Sequence, residues 1–167
     1  MDIRNVLKRK INFNIDYLKP GNLEENKFMK MCFTATDFLN YISEENVNYD
    51  EYVIIKCGDD KLGICSFNIE VRMGIKTARP IIYMTHRKGL KSFMAINSMI
   101  YYLFRHKCVD RVELRIYSNN KQMLSMVNKG IFKYEGCIKS CKKIENEYVD
   151  MYFYSMLKKE FDLFEQY

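Results

Sequence analysis

The segment from Ile81 to Phe104 constrains the fold more than any other part of the chain. It begins with a short apolar run, which predicts a buried strand, and this run breaks at a basic turn that contains Gly89. Apolar residues then recur at spacings of three and four, which places them on one face of a helix. These residues are Phe93, Ile96, Met99, Ile100, Leu103 and Phe104. The segment is therefore predicted to fold as strand, turn and helix.

The turn before this helix is a candidate binding site for a phosphate. The first backbone N–H groups of a helix have no partner within the helix, and the helix dipole adds partial positive charge there. Arg87, Lys88 and Lys91 add full positive charges beside Gly89. Two interpretations remain open, because one glycine is a weak signal. The turn either holds a phosphate or pyrophosphate, or it is an ordinary helix start with solvated basic residues.

Length and composition indicate a single globular domain over residues 1–167. The chain is 48% hydrophobic and 29% charged, which argues against disorder. The net charge of +6 fits an anionic ligand, but the Lys and Arg residues are scattered, which argues against a nucleic-acid partner. No apolar run is long enough to cross a bilayer and the N-terminus has no apolar signal core. We therefore expect a soluble cytoplasmic protein without a membrane partner.

The cysteine pattern argues against a metal site. The six cysteines form no CxxC pair, and only two histidines are available to complete a ligand set. We therefore expect no bound metal, and buried free thiols in a reducing compartment.

The remaining pattern predicts a mixed α/β sheet with helices on its faces. Strands are predicted at 11–18, 51–57, 62–71, 78–85, 109–117, 132–144 and 147–157. Besides the helix that starts in the central segment, helices are predicted at 23–33 and 36–42, from a cap at Ser118-Asn119 to about Asn128, and in the tail 158–167.

The C-terminal half resembles the GNAT acetyltransferases. The segment from Asn120 to Lys129, followed by 132–136, is similar to the family pattern N-x-x-S-x-x-L-x-x-K-x-G-F-x-x-E-G. Asp150 then precedes a Y-S-M-L strand, and the resemblance extends over roughly 11–161. It implies the GNAT fold, a central, mostly antiparallel sheet of six or seven strands with helices on both faces. It is greatest for the branch that acetylates N-terminal amines of ribosomal proteins.

The resemblance also implies an acetyl-CoA site. The family loop R/Q-x-x-G-x-G/A holds the pyrophosphate through backbone amides; here Gly89 matches, His86 stands where Arg or Gln is usual, and Lys91 replaces the second small residue. By this resemblance, acetyl-CoA would be bound by Ile82, Tyr83, Met84, Arg87, Lys88, Gly89, Leu90, Lys91, Ser92 and Asn120.

The catalytic positions match the family less well. Acetyl transfer needs a base that takes the amine proton and a donor that returns a proton to the thiolate. The family donor is often a Ser three residues after the Asn or a Tyr seven after it, where this chain has Met123 and Val127. Ser125 is the nearest hydroxyl, although a solvent-facing helix serine is the ordinary interpretation. Glu70 and Glu113 are the candidate bases, with exposed strand residues as the alternative.

The expected function is acetyl-CoA-dependent N-acetylation of a primary amine by direct attack in a ternary complex. The acceptor remains open among a protein N-terminus, an aminosugar, a polyamine and an antibiotic, and a homodimer also remains open. One alternative is a non-catalytic GNAT-fold module that binds CoA or another anion, suggested by Met123 and Val127. A nucleic-acid-binding domain would fit the charge but lacks a clustered basic stripe.

Overall fold

A computed structural model describes residues 13–17, 51–57, 60–84, 90–128, 132–144 and 146–166. The predicted helices at 23–33 and 36–42 lie outside these residues. The chain divides into two compact units. The first comprises Met1–Asn68 and Pro80–Tyr102, and the second comprises Ile69–Arg79 and Leu103–Tyr167.

The described residues contain seven strands and three helices. The strands are β1 (Phe13–Tyr17), β2 (Glu51–Cys57), β3 (Asp60–Arg72), β4 (Ile75–Met84), β5 (Arg111–Tyr117), β6 (Lys133–Ile144) and β7 (Glu147–Leu157). The helices are α1 (Leu90–Arg105), α2 (Lys121–Val127) and α3 (Lys158–Gln166). All seven predicted strands, the central helix, the helix after residue 118 and the tail helix are confirmed, with ends shifted by a few residues.

In the first unit, β2 pairs antiparallel with both β1 and β3. Val53 of β2 lies opposite Cys65 of β3, and both are fully buried. Phe67, two residues further along β3, meets the Tyr102 ring of α1 edge to face at 6.3 Å. Five of the six residues predicted on the apolar face of the helix are buried, and Phe93 is partly exposed. The three-and-four spacing therefore identified the buried face, although Tyr102 was not among the predicted residues.

The second unit contains a mixed sheet in the order β3-β4-β5-β7-β6. Strand β4 runs parallel to β5, with Ala78 opposite Val112, while β5–β7 and β7–β6 are antiparallel. Parallel neighbours need a long crossover connection, and the chain passes through α1 between β4 and β5. The predicted mixed, mostly antiparallel sheet is therefore confirmed.

Strands β3 and β4 form a hairpin whose turn is Met73-Gly74. Both residues have positive φ, 52° and 79°, as a two-residue hairpin turn requires. Gly74 adopts this conformation without a Cβ penalty. Because the turn is only two residues long, β4 begins at Ile75, and the prediction of a start at Ala78 was wrong.

The core of the second unit forms around β5 and the end of α1. Val112, Leu114 and Ile116 are buried, whereas the residues between them point to the other face, as the period-2 pattern predicts. Phe104 is fully buried and its ring stacks on that of Phe161 in α3 at 4.7 Å.

The cysteines are less buried than the sequence predicts. Of the four described cysteines, only Cys65 is buried, whereas Cys137 and Cys141 are partly exposed and Cys108 is exposed. Cys108 follows the end of α1 at Arg105 and therefore lies beyond the buried face of that helix. The expectation of buried thiols is therefore wrong for three of these four.

Candidate functional site

The strand and helix that flank the predicted phosphate-binding turn are both present in the first unit. Strand β4 ends at Met84 and α1 begins at Leu90. Ile82 and Met84 are partly exposed at the end of the strand, and Ser92 is buried in the first turn of the helix. The strand and the helix that the sequence predicts at this position are thus confirmed, and the segment between them lies outside the described residues.

The residues that would contact the phosphates lie mostly outside the described part of the chain. This applies to Arg87, Lys88 and Gly89, and to the side chains of Tyr83, Leu90 and Lys91. Their roles in binding acetyl-CoA stay predictions.

In the second unit, Asn120 is the N-cap of α2. Its Oδ1 accepts a hydrogen bond from the Met123 N–H at 3.1 Å, and the residue is exposed. The predicted cap at Ser118-Asn119 was wrong, because Asn119 still belongs to a turn whose carbonyl accepts from the Lys121 N–H at 2.9 Å. The sequence thus placed the cap of this helix one or two residues too early.

Asp150 ties the turn before Asn120 to strand β6. Its backbone carbonyl accepts from the Ser118 N–H at 2.8 Å, and its own N–H donates to Ser118 Oγ at 3.0 Å. The carboxylate accepts from Lys139 Nζ and from the Ser140 N–H, both at 2.9 Å, and these bonds lower its pKa. Asp150, which the family resemblance singled out, therefore positions the turn that leads to Asn120.

The donor positions on α2 are apolar and largely covered. Val127 is 1% exposed and Met123 is partly exposed. Neither residue type has a hydroxyl group that could donate a proton. Ser125 is exposed, in agreement with the interpretation of a solvent-facing helix serine.

Tyr154 carries a hydroxyl group and was not among the candidate residues predicted from the sequence. It lies in β7, is 7% exposed, and donates its O–H to Asn128 Oδ1 at 2.9 Å. Burial, followed by the neighbouring phenols Tyr134 and Tyr152, raises its pKa, so the phenol stays protonated at neutral pH. The available signal was its place as the first residue of the Y-S-M-L strand.

A chain of ion pairs connects β3, β4, β5 and β6 of the second unit, and β7 joins it through one hydrogen bond. We call it the Arg–Glu ladder, and it consists of Glu70, Arg72, Arg79, Arg111, Glu113, Arg115, Glu135 and Ser155. Four guanidinium groups thus face three carboxylates, so the ladder carries one net positive charge.

Arg79 of β4 joins the two carboxylates that the sequence put forward as bases. Its Nη1 lies 2.6 Å from Glu70 Oε2 and its Nε lies 3.0 Å from Glu113 Oε1. The structure therefore brings Glu70 and Glu113 to the same guanidinium.

Glu135 lies at the other end of the ladder. Arg111 donates to both of its carboxylate oxygens, and Ser155 Oγ donates to Oε1 at 2.5 Å. The bonds from Arg111, and then that from Ser155, lower the pKa of Glu135. Arg111 Nη2 also lies 3.8 Å from Glu113 Oε2, which links this pair to the centre of the ladder.

These contacts bear on the role of either glutamate as a base. The hydrogen bond from Arg79, and then its charge, lower the pKa of Glu70, whereas a general base works best with a pKa near the operating pH. Glu113 Oε1 accepts from the Nε of Arg79 and from that of Arg115, each at 3.0 Å. Holding these guanidinium groups is the role that the contacts support for both carboxylates.

The arginines of the ladder were not predicted from the sequence. Arg111, Glu113 and Arg115 alternate with apolar residues along β5, and this local pattern is present in the sequence. Their partners Arg79 and Glu135 lie 34 and 24 residues away, so no local spacing connects them.

Acid is expected to destabilise the protein through Glu70, Glu135 and Asp150. The pKa of each is lower in the folded chain than its ordinary value, since a guanidinium or ammonium group donates to it. Such a carboxylate stabilises the fold above its unfolded pKa of about 4, and this contribution is lost as the pH falls through the folded pKa. Urea unfolding between about pH 2 and pH 7 should therefore show a free energy of unfolding that declines below about pH 4 to 5.

Variants identify the groups responsible for this decline. Glu70→Gln and Asp150→Asn should each make the free energy of unfolding less dependent on pH, whereas Glu147→Gln, at an exposed glutamate of β7, should not. A wild-type profile that is flat through this range would contradict the expectation.

Comparison with known proteins gives a relative in sequence and neighbours in structure. No protein-family model matches the chain. An uncharacterized N-acetyltransferase, p20, from Bacillus licheniformis is 28% identical over 111 residues. The match covers 65% of this chain and 62% of the relative, so it spans less than two thirds of that protein.

The structural neighbours cover more of the chain. The spermidine/spermine N-acetyltransferase SpeG from Vibrio cholerae superposes with a TM-score of 0.68 over 90% of this chain and 95% of its own, at 15% identity. An acetyltransferase of the GNAT family from Streptococcus pneumoniae has a TM-score of 0.64 over 87% of this chain and 99% of its own, at 14% identity. By these superpositions, the chain has the fold of the GNAT N-acetyltransferases.

No helix within the described residues has the length and apolar character needed to span a membrane.

Proposed function

We propose that this protein is an N-acetyltransferase that transfers the acetyl group of acetyl-CoA to a primary amine. The observation that carries the proposal is the GNAT fold, with β4 ending and α1 beginning on either side of the basic turn that contains Gly89. The sequence relative, which is named as an N-acetyltransferase, supports the same activity.

The proposed reaction is direct attack of the amine on the thioester. The amine nitrogen forms a bond to the acetyl carbon, the carbon–sulfur bond breaks, the amine proton passes to a base and the thiolate takes up a proton. An acyl-cysteine route finds no support at Cys65 and Cys141, since burial raises the pKa of both thiols, whereas a nucleophilic cysteine needs a lowered pKa.

The cofactor-binding residues in this proposal are those of the family pattern. The N–H groups that follow Gly89 would face the pyrophosphate, and Arg87, Lys88 and Lys91 would add charge. Asn120 keeps the role of bordering CoA that the sequence resemblance implies. The proton-transfer roles of Glu70, Glu113 and Ser125 stay proposals.

The acceptor is a primary amine in this proposal. Resemblance to the branch that acts on ribosomal proteins suggests a protein N-terminus, and the structural neighbours from Vibrio cholerae are named as polyamine acetyltransferases. An aminosugar and an antibiotic are the two other candidate acceptors.

A non-catalytic CoA-binding module is the second candidate function. It is favoured by Val127, which is buried at one of the two positions from which a donor hydroxyl is expected. Such a module would bind acetyl-CoA and release no thiol with any amine.

Two measurements test the proposal. Acetyl-CoA at about a hundredfold excess over its Kd should raise the Tm by roughly 5–10 °C, because it binds only the folded chain. A short oligonucleotide is the control and should leave the Tm unchanged. Free thiol should then appear with at least one amine of a panel that covers the four acceptor classes. Stabilisation without thiol release would favour the binding module, and the absence of stabilisation would contradict both candidate functions.

A further inference from the structure

Strand β6 contains two extra residues at the place where it pairs with the middle of β7. Ile138 lies opposite Met151 and Lys142 lies opposite Val149. Over this stretch β6 advances by four residues while β7 advances by two, which is a bulge in β6. Ser140, inside the bulge, has φ at 50°, a backbone conformation that residues other than glycine seldom adopt. The bulge therefore shortens the distance along the sheet between the residues on either side of it.

The residues that the bulge brings closer together are Cys137 and Cys141. Cys137 lies opposite Tyr152, and Cys141, directly before Lys142, lies level with Asp150. Asp150 and Tyr152 are two residues apart on β7, which is a span of about 6.4–6.8 Å, whereas four residues of a regular strand span about 13 Å. The Cα separations of disulfides extend to about 6.8 Å. The two cysteines are therefore within bridging range.

Both thiols belong to one small cluster of charged groups on this strand. Cys137 and Cys141 are each partly exposed. Burial raises the pKa of the Cys141 thiol, and the charges of Asp150 and Cys137 act in the same direction. The hydrogen bond and charge of Asp150, and then the charge of Cys137, raise the pKa of Lys139. These effects agree with the strand register, which places Cys137 and Cys141 on either side of Lys139 and beside Asp150.

We propose that Cys137 and Cys141 form a reversible oxidation site, which a small-molecule disulfide such as glutathione disulfide converts into an intramolecular disulfide bond. The Cys137 thiolate attacks one sulfur of glutathione disulfide, which gives a mixed disulfide and releases one glutathione. The Cys141 thiolate then attacks the Cys137 sulfur, the protein disulfide forms and the second glutathione leaves. Two protein thiols are oxidised, and the two glutathione thiolates take up their protons. Cys137 reacts first because the Cys141 thiol donates to the Val149 carbonyl at 3.4 Å.

Oxidation at this site acts on the contacts of Asp150. Lys139 and Ser140 lie inside the loop that the disulfide closes, and both donate to the Asp150 carboxylate. Because the cysteine separation is at the upper end of the disulfide range, the bulge must contract when the bond forms, and these donors move with it. The backbone of Asp150 is in turn bonded to Ser118. The turn at Ser118 is therefore expected to open more often in the oxidised protein.

Tryptic peptide mapping detects the disulfide directly, since Lys139 lies between the two cysteines. The folded protein is equilibrated with glutathione buffers of increasing disulfide content in slightly alkaline solution, and free thiols are then alkylated. Cleavage after Lys133, Lys139 and Lys142 gives peptides 134–139 and 140–142, which stay joined only through the disulfide. The joined peptides should appear at a glutathione disulfide level at least about tenfold lower than in the protein unfolded in urea, a difference of about 30 mV in reduction potential.

Two variants and one exchange measurement complete the test. Cys141→Ser should stop the reaction at the mixed disulfide, so that glutathione remains on peptide 134–139. Cys108→Ser removes an exposed thiol outside the bulge and should leave the joined peptides unchanged. Amide hydrogen exchange at the turn that contains Ser118 should be several-fold faster in the oxidised protein, and dithiothreitol should restore the slower exchange.

Each result bears on a different part of the inference, and none depends on the N-acetyltransferase activity. If peptides 134–139 and 140–142 separate at every glutathione ratio, the site is overturned. If they join equally readily in urea, the role of the bulge is overturned, because the fold then contributes nothing. Unchanged hydrogen exchange at Ser118 in fully oxidised protein would overturn the connection through Asp150.

Discussion

Replacing Phe104 by alanine is expected to lower the free energy of unfolding by about 3–5 kcal/mol. The side chain is fully buried and its ring stacks on Phe161 at 4.7 Å, with 19° between the ring planes. The substitution removes a large apolar side chain from water-free packing and leaves a cavity that the surrounding structure fills only in part. Urea unfolding of wild type and variant at neutral pH measures the difference.

Leu163→Ala is the matched control for Phe104→Ala. Leu163 belongs to the same helix as Phe161 but is 55% exposed, so its truncation should change stability by no more than about 0.5 kcal/mol. A double-mutant cycle of Phe104 with Phe161 should show a coupling of about 0.5–1.5 kcal/mol for the ring pair. A loss below about 1 kcal/mol in Phe104→Ala would show that this contact is not part of the core.

Gly89→Glu is expected to weaken acetyl-CoA binding by at least about a hundredfold while the protein stays folded. Gly89 lies outside the described residues, so the expectation rests on the sequence motif. A side chain at this position would stand where the backbone approaches the pyrophosphate, and a carboxylate would repel it. Titration calorimetry of acetyl-CoA into both proteins measures the change.

Gly136→Glu provides the control for Gly89→Glu. A Cβ added at Gly136 would have no neighbouring atom within 4 Å, and this glycine lies in β6 of the second unit. The same added charge there should leave the affinity for acetyl-CoA unchanged. Unchanged affinity in a folded Gly89→Glu protein would show that the pyrophosphate does not bind at this turn.

The strands and helices within the described residues were predictable because their periodicity records which face is buried. In α1 the three-and-four spacing put Met99 and Leu103 on the packed side, and in β5 the alternation put Leu114 inward. The ends of the elements were less predictable. The start of β4 at Ile75 and the cap of α2 at Asn120 depend on turn geometry, to which hydrophobic periodicity is insensitive.

The residues of the candidate site were also only partly predictable from the sequence. The sequence by itself determined the order of elements, the position of the basic segment with Gly89 between β4 and α1, and the acidic positions Glu70 and Glu113, since these are read along the chain. Only the tertiary structure decided that Arg79 joins these two glutamates and that Arg111 pairs with Glu135. The reason is strand register. Ion pairs between strands form where pairing places side chains opposite one another, and the hydrogen bonds that set this register join residues far apart in the chain.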